Sequence, residues 1–288
     1  MDADQATQTP VMRQPSSRPA TVNNMRLALL APAVLLATLS VHAQNNQLTP
    51  KEKSEGWILL FDGKTMKGWV DPRQQTPPGD AWTIEDGCLK ATRRPRITED
   101  LFTQQTFRDF ELEFDWRISP AGNSGVKYRI QDHLFLLPTQ PKEKFELSVE
   151  RSFKARSNVR PAKGQDYVVG FEYQMTDDAT NPDAKGNPKH TAGALYDMVV
   201  PSSAASKPVG EFNHSRIVVR GNHTEHWLNG VKVVDSTLDS PEALAGIDKR
   251  WSVVPEIHEM LSKQPKKDCP ISLQNHGDEA WFRNIKIK

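Results

Sequence analysis

Short runs in which apolar and polar residues alternate dominate the chain beyond residue 56. The clearest is FELEFDWRI (110–118), in which every second residue is apolar and the residues between are charged. Alternation with a period of two is typical of a β-strand that buries one face and exposes the other. The same pattern recurs at 126–130, 171–175, 216–220 and 281–287. The chain is therefore predicted to be built mainly from β-strands.

Turn signals between these runs favour antiparallel pairing. Asp86-Gly87 and Asn229-Gly230 each separate two strand-like runs, and such dipeptides favour two-residue hairpin turns. Helix is scarce, with short helices expected at 241–247 and 255–263, each opening on proline, and at most a little helix within the segment 131–169. Many short strands with turn residues between them predict an all-β fold of two antiparallel sheets packed as a sandwich, with few short helices.

The N-terminal region has the pattern of a secretory signal peptide. Met25-Arg26 precedes the apolar run 27–41, and the small residue Ala43 that follows has the character of a signal-peptide cleavage site. The run is shorter than the roughly 20 apolar residues that a membrane-spanning helix needs. We therefore expect residues 1–43 to be an N-terminal extension and signal peptide that exports a bacterial protein to the periplasm or beyond, with no other membrane contact.

The rest of the chain is predicted to form a single domain. Residues 44–55 form a polar linker, and residues 56–288 carry the strand pattern. The segment 131–169 is rich in charge and proline and lacks clear alternation, so we expect an inserted loop there.

The charge balance narrows the classes of partner, and the cysteine spacing bears on whether disulfides form. Lys plus Arg total 37 and Asp plus Glu total 36, so no strong field favours nucleic acid or an anionic membrane. Cys88 and Cys269 stand far apart and form no recognisable disulfide framework, and two isolated buried thiols are expected. Neither cysteine nor histidine shows the spacing of a metal site.

Three strand-like runs carry polar residues that could converge on one pocket. Their candidate residues are Lys127 and Arg129, Glu172 and Gln174, and Gln274 and His276. If the runs share a sheet, an acid, two cations, amides and an imidazole meet on one surface, as a sugar-binding site requires. Solvated strand faces have a similar composition, so the pattern alone leaves both interpretations open.

Other oxygen-rich patterns are interpreted as structural. Glu111, Glu113 and Asp115 lie on one face of a single strand. This pattern is typical of the solvated face of a strand and is a poorer match to the carboxyl pair of a retaining glycosidase. The acidic loop at 177–183 matches no known calcium-loop spacing, and a polar turn is expected there.

Eight ordered segments carry a resemblance to one family. They are FDGKTMKGW (61–69), WTIEDGCLKA (82–91), FELEFDWRI (110–118), GNSGVKYRI (122–130), GFEYQMTDD (170–178), TAGALYD (191–197), VGEFNHSRIVVRGNHTEHWLNGVKVVD (209–235) and ISLQNHGDEAWFRNIKIK (271–288). Together they resemble the 3-keto-disaccharide hydrolase family, formerly a domain of unknown function. The resemblance implies a concanavalin A-like jelly roll and secreted bacterial enzymes that act on glycosides already oxidised at C3.

The chemistry implied by this resemblance is elimination followed by hydration. A ketone at C3 acidifies the C2 proton, a base removes it, and the C1 substituent leaves from the enolate. Water then adds back, so the net result is hydrolysis. The reaction needs a base, a group that stabilises the enolate oxygen and a proton donor for the leaving group.

This chemistry assigns expected roles to the candidate residues. Glu172 or His276 would be the base, and Lys127, Arg129 or a bound divalent cation would stabilise the enolate.

Tyr196 or His226 would protonate the leaving group. The residues expected to bind the substrate hydroxyls are Asn123, Gln174, Asn213 and Gln274, together with the adjacent Asn275. Many relatives have Asp where this chain has Asn275, which weakens any transfer of a role to that position.

Three other functions remain open at this stage. A non-catalytic lectin-like module would bind sugar on exposed aromatic platforms such as Trp69, Trp227 or Trp251. An ordinary two-carboxylate glycosidase would need Asp197 across the groove from Glu172. A structural or adhesion domain would have no organised polar pocket. A carbohydrate is the expected partner, and the sequence leaves the oligomeric state undetermined.

Overall fold

A computed structural model describes residues 45–71, 79–156 and 161–288. The predicted signal peptide at 1–43 lies outside the described residues. No helix in the described ranges is both long enough and apolar enough to cross a membrane.

Two β-sheets pack face to face. The first contains β1 (Ile58–Leu59), β3 (Trp82–Glu85), β4 (Cys88–Ala91), β7 (Phe110–Ile118), β10 (Asn213–Arg220), β11 (His223–Leu228), β12 (Val231–Thr237) and β14 (Ala280–Ile287). The second contains β2 (Trp69–Val70), β5 (Ile97–Thr98), β6 (Leu101–Thr103), β8 (Asn123–Leu136), β9 (Gly164–Thr176) and β13 (Ser272–Leu273). This architecture confirms the predicted jelly-roll β-sandwich.

The strand order is that of a sandwich with many long-range connections. The first sheet runs β12-β11-β10-β7-β14-β4-β3, with β1 also paired to β14. The second runs β2-β6-β13-β8-β9-β5. The named strand pairs are antiparallel except β5 and β9, which are parallel, so the second sheet is mixed rather than purely antiparallel as predicted.

Helices are few and short. They are α1 (Pro50–Ser54), α2 (Phe145–Lys154), α3 (Pro241–Trp251), α4 (Pro255–Lys263) and a 3-10 turn at Pro188–His190. The Ser240 side chain accepts a hydrogen bond from the backbone of Ala243 at the start of α3, as an N-cap should. The two predicted C-terminal helices are therefore confirmed, although α3 extends to Trp251.

The segment 131–169 is more ordered than the predicted loop. It contains the end of β8, all of α2 and the start of β9. The prediction of a long loop was wrong because these strand ends lie between a helix and an outer apolar patch, so their residues do not alternate strictly.

The hydrophobic core lies between the sheets. Trp116 is fully buried, and Phe114 packs edge-on against Tyr173 with ring centroids 5.8 Å apart. Tyr128 of β8 stacks on Phe171 of β9. Burying one such side chain stabilises a fold by about 1.5–3 kcal/mol. Because these residues point inward, their neighbours along β8 and β9 point to the outer face of the second sheet.

A β-bulge separates two residues that were predicted to share that outer face. β8 pairs Tyr128 with Phe171, but the next pair along the strand is Asp132 with Val169. Arg129 lies in the irregular stretch with a φ of 52°, and its guanidinium donates to the carbonyls of Lys267 and Gly221. The prediction that Arg129 stabilises an enolate was therefore wrong, because the bulge turns it away from the face that carries Lys127.

His226 lies in the core rather than in a site. Its Nε2 is 2.9 Å from the Tyr128 hydroxyl, and its Nδ1 is 2.9 Å from the Gly193 carbonyl. Burial lowers the pKa of His226 to about 4, so the ring is neutral at physiological pH. The prediction that His226 protonates a leaving group was wrong, since β11 places its side chain between the sheets.

The outer face of the first sheet is a network of ion pairs, as its acidic alternation indicated. Glu111 binds Arg216 at 3.0 Å, Glu113 binds Lys286 at 2.9 Å, and Asp115 lies 2.9 Å from a nitrogen of His214.

Cys88 and Cys269 are free and buried, which confirms the prediction of isolated thiols.

The buried His226 predicts a pH dependence of stability. The unfolded chain binds a proton here near pH 6.5 and the folded chain only near pH 4, so stability falls as the pH drops through this window. Replacing His226 by Gln should shrink the loss of unfolding free energy between pH 7 and pH 5 by about 2 kcal/mol. Urea unfolding of both proteins at the two pH values measures this, and an unchanged pH difference would contradict it.

Candidate active site

A cleft of about 840 Å³ opens on the outer face of the second sheet. Its floor comes from β8 and β9, and its walls come from α2, α3 and the loops around residues 183–198 and 274–276. Seven of the predicted site residues line it: Asn123, Lys127, Glu172, Tyr196, Gln274, Asn275 and His276. The prediction that the stretches around 127, 172 and 275 meet in one pocket is confirmed.

Lys127 and Glu172 form a buried ion pair on the floor. They are direct partners across β8 and β9, and Lys127 Nζ lies 3.6 Å from Glu172 Oε2. Lys127 is only 4% exposed. A side chain at Gly125 would begin 2.6 Å from Glu172 Oε1, so the glycine makes the room in which the carboxylate lies.

Gln174 positions Glu172 instead of lining the cleft. One end of its amide lies 3.1 Å from both Glu172 Oε1 and the Ser124 carbonyl, and this end is the nitrogen because both neighbours are acceptors. Gln174 is fully buried. The expectation that it binds a substrate hydroxyl is replaced by a role in holding the carboxylate.

Asp100, which the sequence analysis missed, lies beside this pair. It is fully buried, lines the cleft, and its Oδ2 accepts a hydrogen bond of 3.1 Å from Ser272. Burial raises the pKa of Asp100 to about 7, although Lys127 acts in the opposite direction. The only signal in the sequence is an acid that stands between two short apolar runs, a pattern shared by many surface turns.

The floor contains more acid than base. Burial alone would lower the pKa of Lys127, but the charges of Glu172 and Asp100 outweigh this effect and raise it, so the ammonium keeps its proton. Asp166 is also buried in the cleft, and burial raises its pKa as well. Asp166 is also paired with His133 at 3.4 Å, which leaves Lys127 to face Glu172 and Asp100. One ammonium cannot offset the charges of two buried carboxylates.

A second polar network forms one wall of the cleft. His190 is held between two carboxylates, with Nδ1 2.9 Å from Asp183 and Nε2 2.7 Å from Asp197. Its ring stacks on Tyr196, whose hydroxyl donates to Asp183 at 2.9 Å. Arg250 of α3 binds the other oxygen of Asp197.

This wall fixes the protonation of two of its members. Burial alone would lower the pKa of His190, but its hydrogen bonds to Asp183 and Asp197 raise it to about 9. Burial raises the pKa of Tyr196, so the phenol stays protonated and can donate a hydrogen bond. Asp197 is held by His190 and Arg250, which leaves it poorly placed to act as the second carboxylate of a glycosidase.

The loop after β13 brings three residues of different kinds to the mouth of the cleft. The buried Gln274 Oε1 has no hydrogen-bond partner within the described ranges, so it is available to accept from a ligand hydroxyl. Asn275 instead holds the loop, since its amide donates to the Ala81 carbonyl at 2.7 Å and accepts from Gly277. His276 is exposed and lies at the rim.

Asn213 lies elsewhere and the prediction that it binds substrate was wrong. It is on β10 of the first sheet, where its side-chain oxygen accepts from the backbone of Lys207 and from Asn229. The aromatic platforms expected of a lectin are also scattered. Trp69 is buried, Trp227 lies on the first sheet beneath Arg216, and Trp251 alone of the three lines the cleft.

The cleft residues do not form a conventional cation site. In the described part of the chain, one group of three ligand atoms lies within 4.8 Å of one another, and it consists of His223, Glu225 and Asp235 on the first sheet. The Lys232 ammonium binds both of its carboxylates, which opposes a cation there.

Comparison with known proteins agrees with the sandwich fold. The profile of the 3-keto-alpha-glucoside-1,2-lyase-like domain matches residues 56–288. The chain belongs to this family. A curated relative, the 3-keto-disaccharide hydrolase of Bacteroides thetaiotaomicron, is 31% identical over 261 residues, which cover 85% of this chain and 82% of the relative.

Solved structures related to this family member share its fold. A candidate glycosyl hydrolase from Parabacteroides distasonis superposes with a TM-score of 0.64 at 27% identity, covering 85% of this chain and 99% of that one. A second from the same organism gives a TM-score of 0.53 at 24% identity, covering 81% and 98% of the two chains, and supports the fold alone.

The wall network predicts a histidine that stays charged in mild alkali. By nuclear magnetic resonance, His190 should titrate near pH 9, because two carboxylates stabilise its imidazolium. Asp197→Asn should move that midpoint toward the ordinary value of about 6.5. His226 is the internal control, since its ring should remain neutral at pH 6 in the same spectra. A His190 midpoint below pH 7 would contradict the described network.

Proposed function

We propose that this chain cleaves the glycosidic bond of 3-keto-glycosides by removing the C2 proton, eliminating the C1 substituent and rehydrating the product. The buried Lys127–Glu172 pair on the floor of the cleft carries the proposal. Membership of the family and the name of the 31% identical relative supply the class of substrate. The proposed partner is therefore an oxidised carbohydrate.

In the first step Glu172 acts as the base. Its carboxylate takes the proton from C2, and the electron pair of the C–H bond forms a C2–C3 double bond as the C3 carbonyl oxygen becomes an enolate. Lys127 lies 3.6 Å from Glu172, so its ammonium can face that oxygen while the base faces the proton. An ammonium in a site shielded from water stabilises such an oxyanion strongly.

In the second step the enolate re-forms the C3 carbonyl, the electron pair of the C2–C3 double bond forms a C1–C2 double bond, and the C1–O bond breaks as the leaving oxygen takes a proton. Tyr196, His190 and Asp100 line the cleft and can each carry a proton, and Asp100 is the one whose pKa lies close to neutrality. A donor whose pKa matches the working pH is the more effective general acid.

Hydration completes the reaction. Water adds its oxygen to C1 and a proton returns to C2, which restores the 3-keto sugar. The free Oε1 of Gln274 and the side chain of Asn123 line the same cleft and are the proposed partners of the sugar hydroxyls. We assign no step to a metal ion, because Lys127 already supplies the positive charge that the enolate needs.

The proposed mechanism predicts that the substrate must carry the C3 ketone and that turnover depends on Glu172. Purified protein should release the C1 substituent from a 3-keto-glycoside and leave the unoxidised parent intact, with or without chelator. Glu172→Gln should lower this turnover by about 10²–10⁴-fold, because the base is lost.

Glu113→Gln is the matched control, since Glu113 is an ion-paired acid on the outer face of the other sheet. It should keep its turnover. Cleavage of the unoxidised parent would support an ordinary glycosidase, and binding without release would support a lectin-like module.

The pKa of Asp100 predicts how turnover depends on pH. If Asp100 donates the proton, turnover should fall as the pH rises through about 7, where this acid ionises. Asp100→Asn should remove that alkaline limb and lower the plateau rate. A variant that keeps both the plateau and the limb would assign proton donation to Tyr196.

We also propose that residues 1–43 export the protein to the bacterial periplasm or beyond. Detection of a mature chain that begins at Gln44 in an exported fraction would test this.

A further inference from the structure

The two ends of the cleft differ in chemistry. The end described above carries Lys127, Glu172 and Asp100. The other end is lined mainly by apolar and aromatic side chains from α2, from α3 and from the connection into α4, namely Phe145, Leu147, Tyr167, Trp251, Val253 and Leu261. No step of the proposed mechanism uses this apolar end.

Tyr167 joins the two ends. The Lys127 ammonium lies 5.2 Å from the centre of its ring. The same ring packs against Phe145 at 5.5 Å and against Trp251 at 5.8 Å. The apolar surface therefore begins 5.2 Å from the ammonium that would face the C3 oxygen, within reach of a substituent on C1.

Two aliphatic side chains at this end remain exposed in the described part of the chain. Leu147 on α2 is 41% exposed, and Val253 after α3 is 50% exposed. Both line the cleft. Exposed apolar side chains that cluster in a concave site, rather than standing singly on a surface, indicate a surface that an apolar ligand covers.

The main polar group at this end is already engaged. Arg250 binds Asp197, and its guanidinium lies 5.7 Å from the ring centre of Phe145 and 5.0 Å from that of Trp251. The remaining cations, Lys144 and Lys249, stand exposed at the rim. Glu146 and Gln165 also line the cleft, and Glu146 lies 3.8 Å from Arg250. Beyond these two, a second sugar ring would meet a mainly apolar surface, and burying its other hydroxyls unpaired is costly.

We infer that the apolar end is the leaving-group subsite and that it selects 3-keto-glycosides whose aglycone is an apolar aryl or alkyl group over those that carry a second sugar. This inference rests on the proposed function, because the occupant is the group released from C1.

A series of n-alkyl 3-keto-glucosides tests the subsite without changing the chemistry. Methyl, butyl and hexyl glycosides have leaving groups of nearly equal basicity, so differences among them report binding. KM should fall by up to about fourfold for each added methylene that becomes fully buried, while kcat changes little. A KM that stays constant along the series, or a higher kcat/KM for a 3-keto-disaccharide than for the hexyl glycoside, would overturn the inference.

Variants at the exposed positions localise the effect. Leu147→Ser and Val253→Ser should each reduce the ratio of kcat/KM between the hexyl and methyl substrates. Val231→Ser is the matched control, because Val231 is 44% exposed on β12 of the other sheet. It should leave that ratio unchanged, and an equal reduction in all three variants would assign the effect to general surface polarity.

A binding measurement separates this inference from the proposed function. Binding of unoxidised methyl, butyl and hexyl glucosides can be followed by the tryptophan fluorescence of the protein, to which Trp251 in the cleft contributes, and this needs no turnover. Affinity should rise with chain length and lose that dependence in Leu147→Ser. Chain-length dependence without turnover of any 3-keto-glycoside would refute the proposed reaction but keep the apolar subsite, whereas turnover without such dependence would do the reverse.

Discussion

The buried ammonium of Lys127 is the interaction on which the site depends. An isolated charge in this position would be strongly unfavourable, so its burial requires acids close by. Glu172 lies opposite it across two strands, and Asp100 approaches from the turn between β5 and β6. Burial raises the pKa of Asp100 to about 7, so the charge of this acid changes close to neutral pH beside the ammonium.

Backbone geometry decides which side chains reach that ammonium. The absence of a side chain at Gly125 leaves room for the Glu172 carboxylate, and Gln174 holds it from beneath. Beyond Tyr128 the β-bulge ends the alternation and sends Arg129 to the carbonyls of neighbouring loops. The Lys127–Glu172 pair thus lies in the regularly paired stretch of β8 and β9 that precedes the bulge.

The walls of the cleft add the surfaces that lie beside the Lys127–Glu172 pair. His190 and Arg250 tie the Tyr196 segment to α3 through the shared carboxylate of Asp197. The helix α2, which arises between β8 and β9, adds the apolar surface beside Tyr167. An ordered helix at this place gives the cleft a fixed second end, where a flexible loop would have left it open to water.

The sequence by itself determined the sandwich and the main pair of the site. Alternation fixes which face of a strand is buried, so the outward placement of Lys127 and Glu172 followed from their apolar neighbours, as did the solvated acids of β7. The strand that carries His226 has polar residues on both faces. Its alternation therefore did not reveal that the His226 face turns into the core. What only the tertiary structure decided was the bulge at Arg129, the distant position of Asn213, and the arrival of Asp100, His190 and Arg250. These depend on strand order and on loops that meet across the fold, and no local pattern encodes contacts between residues so far apart in the chain.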